Sequence, residues 1–289
     1  MRTNPSRRRF LRTTAIAGVG YWVVGDTRTA YSKSPNEQIQ FACIGVGGKG
    51  TSDTSSAARH GNVVAICDID EHTLDKQCAR FKGAERFFHY RELLDKLGHT
   101  IDAVTVSTPD HTHAVAAIAA MRRGKHCFCQ KPLTHDIYEA RVMGEFAREK
   151  QLLTQMGNQG TAANDLRMCA AVIRAGGLGN VHEVHVWTNR PTIWRQGIER
   201  PENSPPTPPH VHWDQWIGPA PYRPYDAAYH PVKWRGFWEF GTGALGDMAC
   251  HTFNMPFMAL DLRDPVSVES QSSGHNRETY PCLLYTSPS

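Results

Sequence analysis

The chain has 289 residues, 40% of them hydrophobic and 21% charged, with a formal net charge of +4. That length and composition exclude a disordered or fibrous chain and allow one large or two ordinary domains, each with a buried core. Residues 1–30 hold six arginines against one aspartate, so the rest of the chain carries about −1 and offers no nucleic-acid patch.

The N-terminus reads Ser6-Arg7-Arg8-Arg9-Phe10-Leu11-Arg12, followed by a mostly apolar stretch from Thr13 to Gly25. It resembles a twin-arginine export signal. The apolar stretch is shorter than the roughly 20 residues of a membrane span, and no cysteine follows it for lipid attachment. Residues 1–30 are therefore expected to direct export to the periplasm or beyond, with no membrane association afterwards. An uncleaved anchor or a chance basic start is the alternative.

An apolar strand, Ile39 to Ile44, feeds into Gly45-Val46-Gly47-Gly48-Lys49-Gly50. In a dinucleotide-binding unit the first glycine makes the tight turn, the second admits a pyrophosphate and the third lets helix pack on strand, with the helix N-terminus facing the phosphates. Gly45, Gly47, Gly48 and Gly50 are the candidate cofactor residues of this turn. The next strand, Val63 to Cys67, ends in Asp68, 18 positions after Gly50. A carboxylate there accepts both hydroxyls of an adenosine ribose and repels a 2′-phosphate, which favours NAD over NADP. The competing role for Asp68 is as cap of a helix starting near Asp70.

Strand and helix patterns alternate onwards to about residue 155. Strands are expected at 39–44, 62–67, 86–88, 101–107, 125–129 and 152–155, with helices near 48–59, 70–81, 90–97, 111–123 and 135–150. The expectation is a doubly wound parallel sheet over residues 38–157, a Rossmann domain. Cys43, Cys67, Cys127 and Cys129 fall in its buried strands and read as core thiols. Cys127-Phe128-Cys129 lacks further ligands nearby, so no metal is expected.

A helix from about Ala162 to Ala175 ends at Gly176-Gly177, and a strand from Val181 to Trp187 opens a region of different composition. Residues 158–281 are expected to form an incomplete α+β domain, in which the proline-rich stretch 191–231 is a long ordered loop or lid. The tail, Cys282 to Ser289, resembles the translated adapter of a transposase-based sequencing library. Residues 282–289 are accordingly expected to be foreign, and the second domain truncated near Pro281.

Three places could carry chemistry. Strand four runs into Ser107-Thr108-Pro109-Asp110-His111-Thr112-His113 at the carboxyl end of the sheet, where doubly wound folds bind ligands. Thr108, Pro109, His111 and His113 are expected to line the nicotinamide side. Helix capping by Asp110 with two solvated histidines is the alternative. Strand five ends in Gln130-Lys131-Pro132 at the same rim; an ammonium in a partly dry cleft can hold a substrate hydroxyl, and desolvation brings its pKa into range for proton transfer. The alternative there is a surface lysine before a turn. Far downstream, Asp247 and His251 stand four apart and face the same way on a helix, a setting in which histidine can act as general acid or base. Six of the seven tryptophans lie between Trp187 and Trp238. Trp194, Trp234 and Trp238 are candidate platforms for sugar rings, against burial in a core.

Together these motifs resemble the Gfo/Idh/MocA oxidoreductase family over about residues 38–281. Its hallmarks are a Rossmann glycine turn, Glu-Lys-Pro after strand five and a late Asp-x-x-x-His helix. This chain departs at Gln130, where the family has glutamate, which removes a charge beside Lys131. The resemblance implies NAD on the first domain and a second domain whose open antiparallel sheet covers the cleft and often joins copies of the chain into a homo-oligomer. It also implies a sugar or polyol carbon held among Lys131, Asp247 and His251. His251 would accept the proton, Lys131 would position the hydroxyl and serve as alternate acid or base, and Asp247 would orient and bind hydroxyl. The family contains both sugar oxidoreductases and glycoside-cleaving enzymes that use NAD transiently. A sugar or nucleotide sensor without catalysis is the non-enzymatic alternative.

Overall fold

The computed structural model describes residues 38–190, 199–273, 279 and 282–288. The chain divides into Met1–Gln38 and Ile39–Ser289, and the elements below belong to the second unit. Residues 1–30, expected to act as an export signal, and Trp194 lie outside the described residues.

Six strands, β1 Ile39–Ile44, β2 Gly61–Cys67, β3 Glu85–Phe87, β4 Ala103–Val106, β5 His126–Gln130 and β6 Thr154–Gly157, form one sheet in the order β3-β2-β1-β4-β5-β6. Every pair is parallel. This is the doubly wound order, whose direction reverses between β1 and β4 and opens a crevice at the carboxyl ends of those strands. Alternation along the strands serves two cores. Ala42, Ile44, Ala65, Cys67, Val104 and Val106 point to one face with Leu93, Leu94 and Met121, while Cys43, Val46, Ile66 and Leu74 fill the other. Burial on both faces explains the continuous apolar runs in the sequence. Cys43, Cys67, Cys127 and Cys129 are free and buried. Burial pushes all four thiols up, Cys127 to about 12, so they pack as small apolar groups.

The crossover helices are α1 Lys49–Ala57, α2 Glu71–Arg80, α3 Tyr90–Leu97, α4 Asp110–Met121 and α5 Ile137–Glu149. Side chains cap the starts of three of them, with His89 Nδ1 accepting from Arg91 N at 3.0 Å at the start of α3. Asp70 accepts from the backbone N–H of His72 and Thr73 at the start of α2, so Asp70 is the cap and Asp68 is left for other work. Asp136 and Glu139 form a capping box at the start of α5.

The remainder holds α6 Gln159–Ala162, α7 Asn164–Arg174, α8 Trp213–Ile217, α9 Gly243–Thr252 and α10 Asn254–Leu260, followed by β7 Val268–Ser273. The last strand, β8 Cys282–Pro288, comprises residues expected to be foreign; it pairs antiparallel with β7, a backbone ladder that does not depend on side-chain origin. The strand expected from Val181 to Trp187 is absent: that segment has no ladder partner, and Trp187 is 80% exposed. A strand needs a neighbour's N–H and C=O groups, and β7 and β8 pair with each other. The proline-rich region is more than a lid. Val211, Trp213, Trp216, Ile217, Tyr229, Trp234, Phe237 and Phe240 form an aromatic core of their own. It is tied to the end of β2 where Glu71 N donates to His210 O at 2.9 Å and His212 N to Ile69 O at 2.9 Å.

Candidate active site

The glycine turn follows β1 at the crevice. Gly45 has φ +76°, and a Cβ there would meet Ser107 O at 2.7 Å. A Cβ on Gly50 would lie 1.8 Å from Gly45 O, so α1 begins flush against the turn only because this residue has no side chain. Around Gly48 nothing stands within 4 Å of such an atom, leaving that face of the turn open. Asp68 closes the other side: its Oδ2 accepts from Val46 N at 2.9 Å and Gly47 N at 3.0 Å, and its Oδ1 from Asp70 N at 3.1 Å. Burial pushes its carboxyl up, against the lowering pull of these three N–H groups. An open backbone turn at a helix N-terminus beside a carboxylate fits the diphosphate and ribose of a nicotinamide dinucleotide. A Gly50→Ala variant is expected to lose at least about a hundredfold in NADH affinity, because an atom at that distance forces turn and helix apart. Fluorescence titration of bound NADH checks this.

The rim after β4 differs from expectation. His111 and His113 do not face the cleft. His111 is buried with Nε2 2.9 Å from Trp216 O and Nδ1 3.2 Å from Phe240 O, and His113 with Nδ1 2.8 Å from Pro132 O and Nε2 2.8 Å from Thr108 O. Burial pushes both rings down, His111 to about 4, although the carbonyls pull the other way. They brace the rim: one binds α4 to the aromatic core, the other binds the Thr108 turn to the backbone after Lys131. Pro109 stands at the cap position of α4, and the Thr108 hydroxyl is buried with no partner. Asp110 is no exposed cap. It is 3% exposed, and Thr242 Oγ1 donates to its Oδ2 at 2.9 Å. Burial pushes its carboxyl up to about 7, with Asp247 adding to the rise and Thr242, Arg235 and Lys131 opposing it.

Lys131, Asp247 and His251 do come together. Lys131 Nζ lies 2.5 Å from Asp247 Oδ1 and 2.9 Å from Asp247 O, with side chains 13% and 6% exposed. Arg235 Nε adds a second cation 3.3 Å from the same carboxylate oxygen. His251, one turn further along α9, takes its orientation from Asn158 rather than from Asp247: Nδ1 is 3.1 Å from Asn158 Oδ1. The Asn158 amide nitrogen donates to Cys250 O, so its oxygen is the atom turned to the ring. Nδ1 therefore carries the proton and Nε2 keeps its lone pair. Burial and the Lys131 charge push this histidine down, which leaves it neutral and basic at neutral pH. Arg235 and Asn158 were not foreseen. Asn158 stands directly after β6, at the same carboxyl edge as every other site residue, and that position is the signal that could have found it.

Of the candidate platforms, Trp234 is 4% exposed within the aromatic core, its ring under the Arg235 guanidinium at 4.2 Å, so it has no face for a sugar. Trp238 is 40% exposed. Asp70, His72 and His210 also gather on the surface. The two rings stack at 4.0 Å with planes 16° apart, and the Asp70 carboxylate caps α2.

Comparison with known proteins agrees with this geometry. Residues 39–158 match the oxidoreductase family with an NAD-binding Rossmann fold known as Gfo/Idh/MocA, and residues 164–281 match the C-terminal alpha/beta domain of the same family. A glycosyl hydrolase family 109 protein of Solibacter usitatus is 28% identical over 193 residues, covering 61% of this chain and 44% of the relative. A levoglucosan dehydrogenase of Pseudarthrobacter phenanthrenivorans is 25% identical over 191 residues, 66% of this chain and 40% of the relative. The chain thus spans less than half the length of these curated relatives. In fold it resembles the WlbA dehydrogenase of Bordetella pertussis, crystallised with NADH and UDP-GlcNAcA, at a TM-score of 0.62 and 20% identity over 84% of this chain and 65% of that one. With both family domains matched in order along one chain, and the glycine turn, Lys131 and the Asp247 to His251 helix assembled at one crevice, this protein belongs to the Gfo/Idh/MocA oxidoreductase family.

Proposed function

We propose that the whole protein is an NAD-dependent oxidoreductase acting on a ring carbon of a sugar, polyol or related carbohydrate. One observation carries this: Lys131 is locked on Asp247 at 2.5 Å while His251, one helical turn away, offers an unprotonated Nε2. In this reading Gly45, Gly47, Gly48, Gly50 and Asp68 hold the dinucleotide, with Thr108, Pro109 and Gln130 at its nicotinamide end. Bound nicotinamide supplies the hydride acceptor. His251 Nε2 takes the proton from the hydroxyl of the reacting carbon, and Lys131 Nζ donates a hydrogen bond to that oxygen as the carbonyl forms. Asp247, itself met by Arg235, holds the lysine in place. In the reverse direction the same imidazole returns the proton.

The family 109 relatives favour a second reading, in which the chain cleaves a glycoside. A ketone formed two carbons from the glycosidic carbon would acidify the C–H between them. Loss of that proton to a base would expel the aglycone, water would add across the resulting double bond, and the hydride would then return to the ketone. No pair of glycosidase carboxylates is needed. Export as a folded protein, proposed from Arg7 and Arg8, supports retention of one cofactor through a closed redox cycle. Incubating the full-length protein with a panel of glycosides, while following bound-NADH absorbance and released sugar together, separates the two. Oxidised sugar accumulating without cleavage supports net oxidation and rejects the glycosidase reading. Sugar release with no lasting NADH supports cleavage and rejects net oxidation. Purified protein that neither carries nor takes up NAD overturns both.

A further inference from the structure

Asp53 lies behind the glycine turn on α1, 7% exposed, and outside the group formed by Lys131, Asp247 and His251. Its Oδ2 accepts from Gln130 Nε2 at 2.9 Å and from Ser107 Oγ at 2.9 Å, and its Oδ1 accepts from Lys49 Nζ at 2.5 Å. One carboxylate thereby joins α1, the end of β4 and the end of β5. Gln130 has no freedom to turn away. Its Oε1 accepts from Lys131 N at 3.2 Å, and its amide end rests on Gly157, where an added Cβ would come within 2.6 Å of Nε2. The glutamine at 130, in place of the family's glutamate, is what this bond requires. A glutamate would set a second carboxylate 2.9 Å from Asp53 in a buried site, where like charges are strongly disfavoured.

We propose that Asp53 is a positioning residue for Lys131: through Gln130 it ties the helix behind the cofactor turn to the backbone that aims the ammonium at Asp247. The assignment rests on the reading of Lys131 as the lysine of the reaction, but its geometry stands without substrate or nucleotide. The chain runs from the Lys49 ammonium to the Asp53 carboxylate, the Gln130 amide and the Lys131 N–H, each link a polar contact of 3.2 Å or less. Its central bond, between Asp53 and Gln130, is shielded from water, so a mismatch there cannot be repaired by hydration, whereas the Lys49 end is exposed.

The test exchanges the two ends of the central bond. Full-length wild type, Gln130→Glu, Asp53→Asn, the double variant and a Leu74→Val control are treated with acetic anhydride, and the rate of Lys131 acetylation is read by peptide mass spectrometry. Thermal midpoint and NADH affinity are measured on the same preparations. Gln130→Glu and Asp53→Asn are expected to raise the Lys131 rate about tenfold, the factor that goes with losing one buried hydrogen-bonded link. The double variant restores an amide facing a carboxylate with the roles exchanged, and its rate returns to within about threefold of wild type. Leu74→Val, which thins the core elsewhere, lowers the thermal midpoint without changing Lys131 labelling. Wild-type labelling in both single variants, or a double variant that labels as fast as Gln130→Glu, overturns the proposal. Should Gln130→Glu not fold, Asp53→Asn alone decides by the same rate. Absent NADH binding would strike the dinucleotide reading and leave the Asp53 result standing.

Discussion

A Lys131→Met variant is expected to transfer hydride about a thousandfold more slowly than wild type, within the range that one positioned acid or base supplies. It should bind NADH within about twofold of wild type, because Nζ touches Asp247 and not the glycine turn. Methionine keeps the length of the side chain and removes its charge. Asp247 then retains only Arg235, 3.3 Å away, so the loss of stability should stay near 2 kcal/mol, below what a fully orphaned buried carboxylate costs. Single-turnover reduction of bound nicotinamide with an accepted carbohydrate reads the rate, and fluorescence titration reads the affinity. Full turnover in the methionine variant would refute the assignment of Lys131. His251→Asn should be slowed to a similar degree. Because the His251 pKa is lowered, wild-type activity should hold on the acid side down past the ordinary histidine range.

The second large effect concerns pH and Asp110. In the folded chain burial pushes this carboxyl up to about 7, whereas an unfolded aspartate titrates near about 3.9. Between those values the unfolded chain has already released a proton that the folded chain still holds. Stability must therefore fall as pH rises through that window, by up to about 4 kcal/mol, at about 1.36 kcal/mol for each pH unit between the two values. The groups facing Asp110 set the balance: Asp247 raises it further, while Thr242, Arg235 and Lys131 lower it, and Cys129 and Cys250 lie within its field. His111 acts in the opposite sense. Its pKa of about 4 when folded makes the protein less stable as pH drops below the ordinary histidine value. The difference between wild type and Asp110→Asn isolates the aspartate, since asparagine keeps an acceptor for Thr242 and cannot titrate. Denaturant midpoints at pH 5 and pH 8 should show wild type losing stability relative to the variant as pH rises. Parallel curves would mean that Asp110 keeps an ordinary pKa.

Much of the first domain was legible because its signals are local. Apolar runs such as Phe41 to Ile44 within the first strand and Val63 to Cys67 mark strands buried on both faces, and Gly45 and Gly50 stand where backbone passes too close for any side chain. Lys131 and the Asp247 to His251 pair were legible for a similar reason: a strand end and a helical spacing place them without knowledge of distant neighbours.

What the sequence left open is what depends on who packs against whom. His111 and His113 read as cleft residues until the aromatic core and the Pro132 carbonyl took up their nitrogens. Trp234 has the same composition signal as Trp238, yet only one keeps a face towards solvent. The strand expected at Val181 to Trp187 had the right residues but no partner.

By itself the sequence determined the doubly wound domain and the nicotinamide dinucleotide turn, because periodicity and tight turns are properties of neighbouring residues, while its resemblance to a known family singled out Lys131, Asp247 and His251. Only the tertiary structure decided that Asn158 sets the His251 tautomer, that Arg235 joins Lys131 on Asp247, that Asp110 is buried near its titration point, and that Asp53 reaches Lys131 through Gln130. Apart from the Gln130 to Lys131 link, these are contacts between side chains 12 to 132 positions apart, made or shielded by burial, and neither distance nor dielectric is written in the order of the residues.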